Sequence, residues 1–154
     1  MKNIKVKSKN INNEELENMK NQLARAMADY ANLQKRTDEE KGIMYKLASI
    51  SSMTKILPII DNLRQAQNHL KDSGIAMIIG QLEVLAKEEG FEEIKIKVGD
   101  KFDEQIMEVT EVIETSDEKD DNDVSEVVVT GWKYNDGTIV RHSRVKVFKF
   151  EKPS

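Results

Sequence analysis

The chain has 154 residues, of which 34% are charged, 38% hydrophobic and only 5% aromatic, a balance suited to an elongated, surface-rich helical protein rather than a compact enzyme with a large core. Its 24 basic and 28 acidic residues leave a net charge of −4, which argues against a general nucleic-acid binder with a broad basic face. It contains no cysteine, which excludes disulfides, thiol nucleophiles and thiolate metal sites and fits a reducing, cytoplasmic setting.

Residues 1–11 carry Lys2, Lys5, Lys7 and Lys9 between Ile4, Val6 and Ile11. They read as a flexible basic tail, with a weak edge strand as the alternative. No apolar core follows these lysines, so they do not form a secretory signal. The apolar runs Ile56–Ile60 and Ile75–Ile79 are too short to span a bilayer, and no membrane contact is expected.

From Asn13 to His69 the only glycine is Gly42 and the only proline Pro58. Asn13-Glu14-Glu15 suits a helix start, with an N-cap and acids at the positive end. Leu16, Leu23, Tyr30, Thr37, Met44 and Ser51 recur every seven residues. Met19, Ala26, Leu33, Glu40, Leu47 and Thr54 follow three residues behind each. That is the a/d seam of a coiled coil, weakest at Thr37 and Glu40. One helix cannot bury such a seam alone, so a second copy of the chain is the simplest partner. Residues 12–49 are assigned to this helix, and Ser49-Ile50-Ser51-Ser52 predicts a break or kink.

Residues 50–90 read as a helical hairpin. Ile56, Leu57, Ile60 and Leu63 give the first arm a broad apolar face, with Pro58 bending it or near a helix start. Lys71-Asp72-Ser73-Gly74 is a turn. Ile78 and Leu82 belong to the apolar face of the second arm, which Gly90 caps. Two hairpins would make a dimeric four-helix bundle. The expected dimer contacts are Leu16, Met19, Leu23, Tyr30, Leu33, Met44 and Leu47 on the long helix, and Ile56, Leu57, Ile60, Leu63, Ile78 and Leu82 in the bundle.

Beyond Gly90 the period becomes alternating, and residues 91–154 read as a small antiparallel β-domain. Ile94 and Ile96 alternate in Glu93–Val98; Met107, Val109 and Ile113 mark the next strand; Val127–Trp132 and Ile139–Phe150 follow. Asn135-Asp136-Gly137 signals a hairpin. The fold class is therefore α+β: a dimeric long-helix coiled coil, a central four-helix bundle and a C-terminal β-domain.

Catalytic and metal-binding patterns are missing. His69 and His142 have no partner at a metal-ligand spacing, and the acidic run Asp117–Asp123 lacks the glycine and spacing of a calcium loop. No phosphate loop, nucleophile elbow or dinucleotide fingerprint occurs, so neither an enzyme nor a bound cofactor is expected. Lys35 and Arg36 are either exposed helix charge or a contact for an acidic partner. Trp132 is either β-domain core or an interface anchor.

Four segments together resemble the GrpE family, nucleotide-exchange factors for DnaK-type heat-shock chaperones. They are Ala28-Asp29-Tyr30-Ala31-Asn32-Leu33-Gln34-Lys35-Arg36-Thr37; Ile56-Leu57-Pro58-Ile59-Ile60-Asp61-Asn62-Leu63; the helix from Gly74-Ile75 to Gly90-Phe91; and the pair Phe102–Val109 with Gly131–Val147. Departures from the family pattern are Glu104, Met107, Val109 and His142, all in the β-domain.

The resemblance implies a parallel homodimer whose β-domain enters the chaperone's nucleotide-binding domain, opens its cleft, and lets ADP leave and ATP enter during the heat-stress response. It implies chaperone contacts at Lys35 and Arg36, a bundle hinge at Gly74, and framework or contact-edge roles for Gly131, Trp132, Arg141 and Val145. The competing reading is a structural coiled-coil adaptor without exchange activity.

Overall fold

The computed structural model describes the backbone of residues 2–151 and the side chains of residues 12–151. The basic side chains at 1–11, read above as a tail, lie outside the described residues. The chain divides into two units, Met1–Leu47 and Ala48–Ser154.

The first unit is the N-terminal part of helix α1 (Lys2–Leu70). Leu16, Met19, Leu23, Tyr30, Leu33, Met44 and Leu47 are each at least 50% exposed, so these apolar seam positions have no cover among the described residues of the chain.

In the second unit α1 runs without interruption through Ser49–Ser52 and Pro58 to Leu70, where the serines predict a break. Packing explains the difference. Met53, Leu57 and Ile60 are buried in one cluster with Ile50 against it, and that burial outweighs the poor helix propensity of serine. Thr54 also donates its Oγ1 back to the Ile50 carbonyl at 2.8 Å. Pro58 lacks an N–H and leaves the helix one bond short without ending it.

Lys71, at φ 51°, and Asp72 turn the chain into helix α2 (Ser73–Glu88). The Asp72 carboxylate caps it, accepting from the Gly74 and Ile75 N–H groups at 2.8 and 3.1 Å. Gly90, at φ +86°, ends it in the left-handed conformation expected of a C-terminal glycine. Leu82 and Ala86 pack on the cluster of Met53, Leu57 and Ile60, which sets α2 antiparallel to the end of α1.

Six strands follow among the described residues: β1 (Phe91–Glu93), β2 (Met107–Thr115), β3 (Val124–Val129), β4 (Trp132–Tyr134), β5 (Ile139–Arg141) and β6 (Ser143–Phe150). They form two three-stranded sheets, ordered β1-β4-β5 and β2-β6-β3. The pairs β1–β4, β4–β5 and β3–β6 are antiparallel, as the alternation predicts, whereas β2–β6 is parallel. Three strands lie between β2 and β6 in the chain, which supplies the long crossover a parallel pair requires.

The hairpin at Asn135-Asp136-Gly137 is present: Gly137 has φ +89°, and the Gly137 N–H donates to the Tyr134 carbonyl at 2.9 Å. The expected strand at Glu93–Val98 does not form: β1 lies earlier, at Phe91–Glu93, and shares only Glu93 with it, although Ile94 is buried and its N–H donates to the Gly131 carbonyl at 2.9 Å. The long run Ile139–Phe150 divides at His142, which links β5 to β6 instead of lying in a strand.

Each sheet has its own core. The inner sheet, β1-β4-β5, joins the helices through Phe91 and Trp132, which pack with Met53, Leu57, Ile60 and Ala86. The outer sheet, β2-β6-β3, buries Met107, Val124, Val145 and Val147.

Candidate interaction site

Burial sorts the residues singled out in the sequence. Leu57 and Ile60, expected between chains, are 0% and 1% exposed in this chain's own core and have no surface left for a partner. The sequence could not distinguish the two sides of an apolar helix. Ile56, Ile59 and Leu70 form the exposed side of the same helix, with Leu63 half-buried.

Helix α2 is apolar almost all round. Ile79 and Ala86 face the core, while Met77, Ile78, Val84 and Leu85 remain exposed, and Leu82 is half-buried. Met77, Gly80, Gln81, Val84, Leu85 and Glu88 line a shallow groove on that outer face. A helix with apolar residues on opposite sides needs cover on both.

Lys35 and Arg36 are exposed on α1, and Arg36 Nε lies 3.4 Å from Glu40 Oε1, one helical turn on. Gly74 occupies the capped first turn of α2, so its local role is to start a helix. Trp132 and Val145 are 1% and 0% exposed. They are framework residues, and the contact role implied for them is corrected by their burial.

Arg141 turns inward as well. Its Nη1 and Nη2 donate to the two Asp61 carboxylate oxygens at 2.6 and 3.0 Å, and Nη2 also donates to the Thr130 carbonyl at 2.7 Å. One turn further along α1, Arg64 donates to Glu83 of α2 at 2.6 Å and to Glu93 of β1. Burial opposes the Arg64 charge, but the hydrogen bonds to Glu83 and Glu93 outweigh it and raise its pKa. Neither pairing was visible in the sequence, because the partners lie 80, 19 and 29 residues apart.

Beside the open faces of α1 and α2, the outer sheet is a further exposed surface. Val109, Val112 and Val128 are 37%, 52% and 46% exposed. On β6, Lys146 bridges Glu111 of β2 and Glu126 of β3 at 3.0 and 3.1 Å. Hydrogen bonds to Glu111 and then Glu126 raise its pKa. Arg144, beside Glu108 in the register, is exposed and forms no ion pair among the described residues.

The acidic run is engaged in structural contacts, within its own loop and with neighbouring segments. Asp117 caps a 3-10 turn at Glu118–Asp120, Asp121 accepts from the Phe150 N–H at 2.9 Å, and Asp123 pairs with Lys101. Among the described residues, no group of three or more His, Cys, Asp or Glu side chains is arranged to hold a metal.

The family model for GrpE matches residues 2–149. A protein named Protein GrpE from Clostridium perfringens is 35% identical over 95% of this chain and 70% of its own length. The Protein GrpE of Clostridium tetani is 35% identical over 94% of this chain and 72% of its own length. That of Enterococcus faecalis is 33% identical over 86% and 78%.

Proposed function

This chain belongs to the GrpE family, co-chaperones that promote nucleotide exchange on DnaK-type chaperones, and we propose that it acts as a homodimer whose outer sheet engages the chaperone's nucleotide-binding domain. The observation that carries the dimer is the uncovered apolar surface: the heptad seam of α1 in the first unit, and Ile78, Val84 and Leu85 on α2 in the second. A second copy offers matching surface to each, giving paired long helices and a four-helix bundle.

The outer sheet combines exposed valines with the open cation of Arg144, the mixture of apolar and polar groups found at protein interfaces. Lys35 and Arg36 supply a second, helix-borne contact. Exchange on this reading needs no covalent chemistry by this chain. The dimer binds the open form of the nucleotide-binding domain better than the closed form and shifts the equilibrium by that difference. Reciprocity then requires nucleotide to weaken the dimer's hold on the chaperone.

The reading places the protein in the cytoplasm with its chaperone, without nucleic acid or membrane. Helix α1 contains a stretch long and apolar enough to cross a membrane by length and composition. We assign it instead to protein packing, because Met53, Leu57 and Ile60 are buried in the core and Asp61 and Arg64 are ion-paired.

The test is release of a fluorescent ADP analogue from a DnaK-type chaperone. Acceleration by the intact chain, lost on Val112→Asp with Arg144→Glu, supports the outer sheet as the contact. A folded dimer that leaves the release rate unchanged would favour the adaptor reading. Removing residues 91–154 is a poor test, because it strips Phe91 and Trp132 from the core of the helical hairpin.

A further inference from the structure

Arg141 stands where three parts of the second unit meet. It closes β5, next to the crossing at His142 into β6 of the outer sheet. The carbonyl it binds, Thr130, lies on a second crossing, from β3 of the outer sheet to β4 of the inner one. Its bidentate partner, Asp61, belongs to helix α1. The same guanidinium therefore ties the helix to two of the three chain crossings between the sheets, those from β3 to β4 and from β5 to β6.

The rest of the junction is closely fitted. The Gly131 N–H donates to Ser143 Oγ at 2.9 Å, and the Ser143 N–H donates to the Ile106 carbonyl at 2.9 Å. Ser143 itself is 0% exposed. The outer and inner sheets have separate apolar cores, so their relative attitude depends on this narrow hydrogen-bonded waist. A bidentate guanidinium–carboxylate pair is well suited to fixing an angle, because two parallel bonds resist rotation where one would not.

We propose that Arg141 and Asp61 form a positioning clasp, which holds the outer sheet at a fixed attitude to the helical hairpin so that the sheet is preorganised for the chaperone. The proposal rests on the exchange reading for its functional consequence, though not for its structural one. Arg141 acts through the sheet it orients and does not touch the partner. Without the clasp the sheet samples several attitudes. The apparent affinity for the chaperone then falls by the fraction of time spent in the competent one.

The test uses Asp61→Asn, Arg141→Gln and the double variant in the full chain. Because the chain has no cysteine, two can be introduced at exposed Gln65 and Glu114 and spin-labelled. Distances are measured by electron-electron resonance with labelled chain diluted into unlabelled chain. The expected result is a narrow distance distribution in the parent and a similar broadening in all three variants. The concentration needed for half-maximal ADP release should rise roughly tenfold in each single variant and no further in the double.

An Asp61→Asn protein with parental exchange and a narrow distribution, beside a defective Arg141→Gln protein, would overturn the proposal and make Arg141 a direct contact. Should Arg141→Gln fail to fold, Arg141→Lys keeps the charge while losing the bidentate geometry and is expected to broaden the distribution. An unbroadened distribution there would also overturn the proposal. If the parent does not accelerate release at all, the exchange reading fails, while the distance measurement still decides the clasp.

Discussion

Gly131 lies so close to Ser143 that a Cβ on it would stand 2.5 Å from both the Ser143 backbone nitrogen and its Oγ, and 2.9 Å from the Arg141 carbonyl oxygen. Two of these three neighbours are backbone atoms, which cannot swing aside as a side chain does. Gly131→Ala must therefore part the waist between the sheets or distort it. Destabilisation of about 2–4 kcal/mol is expected, in the range of severe overpacking. Urea unfolding followed by the fluorescence of Trp132, the single tryptophan, measures it. A midpoint within experimental error of the parent would show that the junction has slack.

The shared core of helices and inner sheet predicts a second result. Leu57 is 0% exposed and packs in one cluster with Trp132, Phe91 and Ala86. Leu57→Ala should cost about 2–5 kcal/mol, and Leu47→Ala, at a site 59% exposed in the single chain, much less in the isolated fold. Following helical ellipticity and tryptophan fluorescence together tests whether the hairpin and inner sheet unfold as one. Separate transitions in the parent for the α1–α2 hairpin and for Trp132 would contradict a common core.

Leu57 reads in the sequence as a dimer contact yet lies in the core of its own chain, for a physical reason. Periodicity reports that a helix face is apolar, not which neighbour covers it. From Ile50 to Leu70 helix α1 has one stripe facing its own sheet and another left open, and a sequence merges the two into one broad face. The turn at Lys71–Gly74, the cap at Gly90 and the turn at Gly137 are legible because each depends on a few adjacent residues, whereas the capping role of Asp72 emerges only in the structure. The parallel β2–β6 pairing and the Asp61–Arg141 bond are not legible, because they depend on long-range topology. The helix break at Ser49–Ser52 failed for a related reason: propensity is local, and the burial of Met53 and Leu57 overrides it.

The cross-strand ladder Glu111–Lys146–Glu126 has an alkaline signature. The Lys146 pKa is raised above its ordinary 10.5, with the hydrogen bond to Glu111 the largest cause and that to Glu126 next. A raised folded-state pKa gives stability that is fully present below the unfolded value and is lost as pH rises through the folded one. The ladder should thus be intact at neutral pH and weaken above about pH 10.5. Lys146→Met should flatten that part of the stability curve while leaving its neutral side unchanged in slope. Urea midpoints of the two proteins across the alkaline range decide it, and parallel curves would assign the loss to other groups. Arg64, whose pKa is also raised by Glu83 and Glu93 against the opposing effect of burial, stays charged throughout this range and adds no slope near neutrality.

The uncovered face of α2 gives the last prediction. Leu85 is 53% exposed and Ile78 46%, seven residues apart on a flank about 100° round the helix from Ile79 and Ala86. If a second copy covers them, Leu85→Glu places a carboxylate in an apolar interface without a partner, a change that disfavours the assembly far more than the monomer fold. Sedimentation equilibrium should then show the parent as a dimer and the variant displaced toward monomer by at least tenfold in dissociation constant, or about 1.4 kcal/mol. Glu88→Ala, on the same groove but removing a charge, should leave the dimer intact. Parent and Leu85→Glu proteins with the same dissociation constant would move the interface off α2 and leave the heptad seam of α1 as the principal dimer contact.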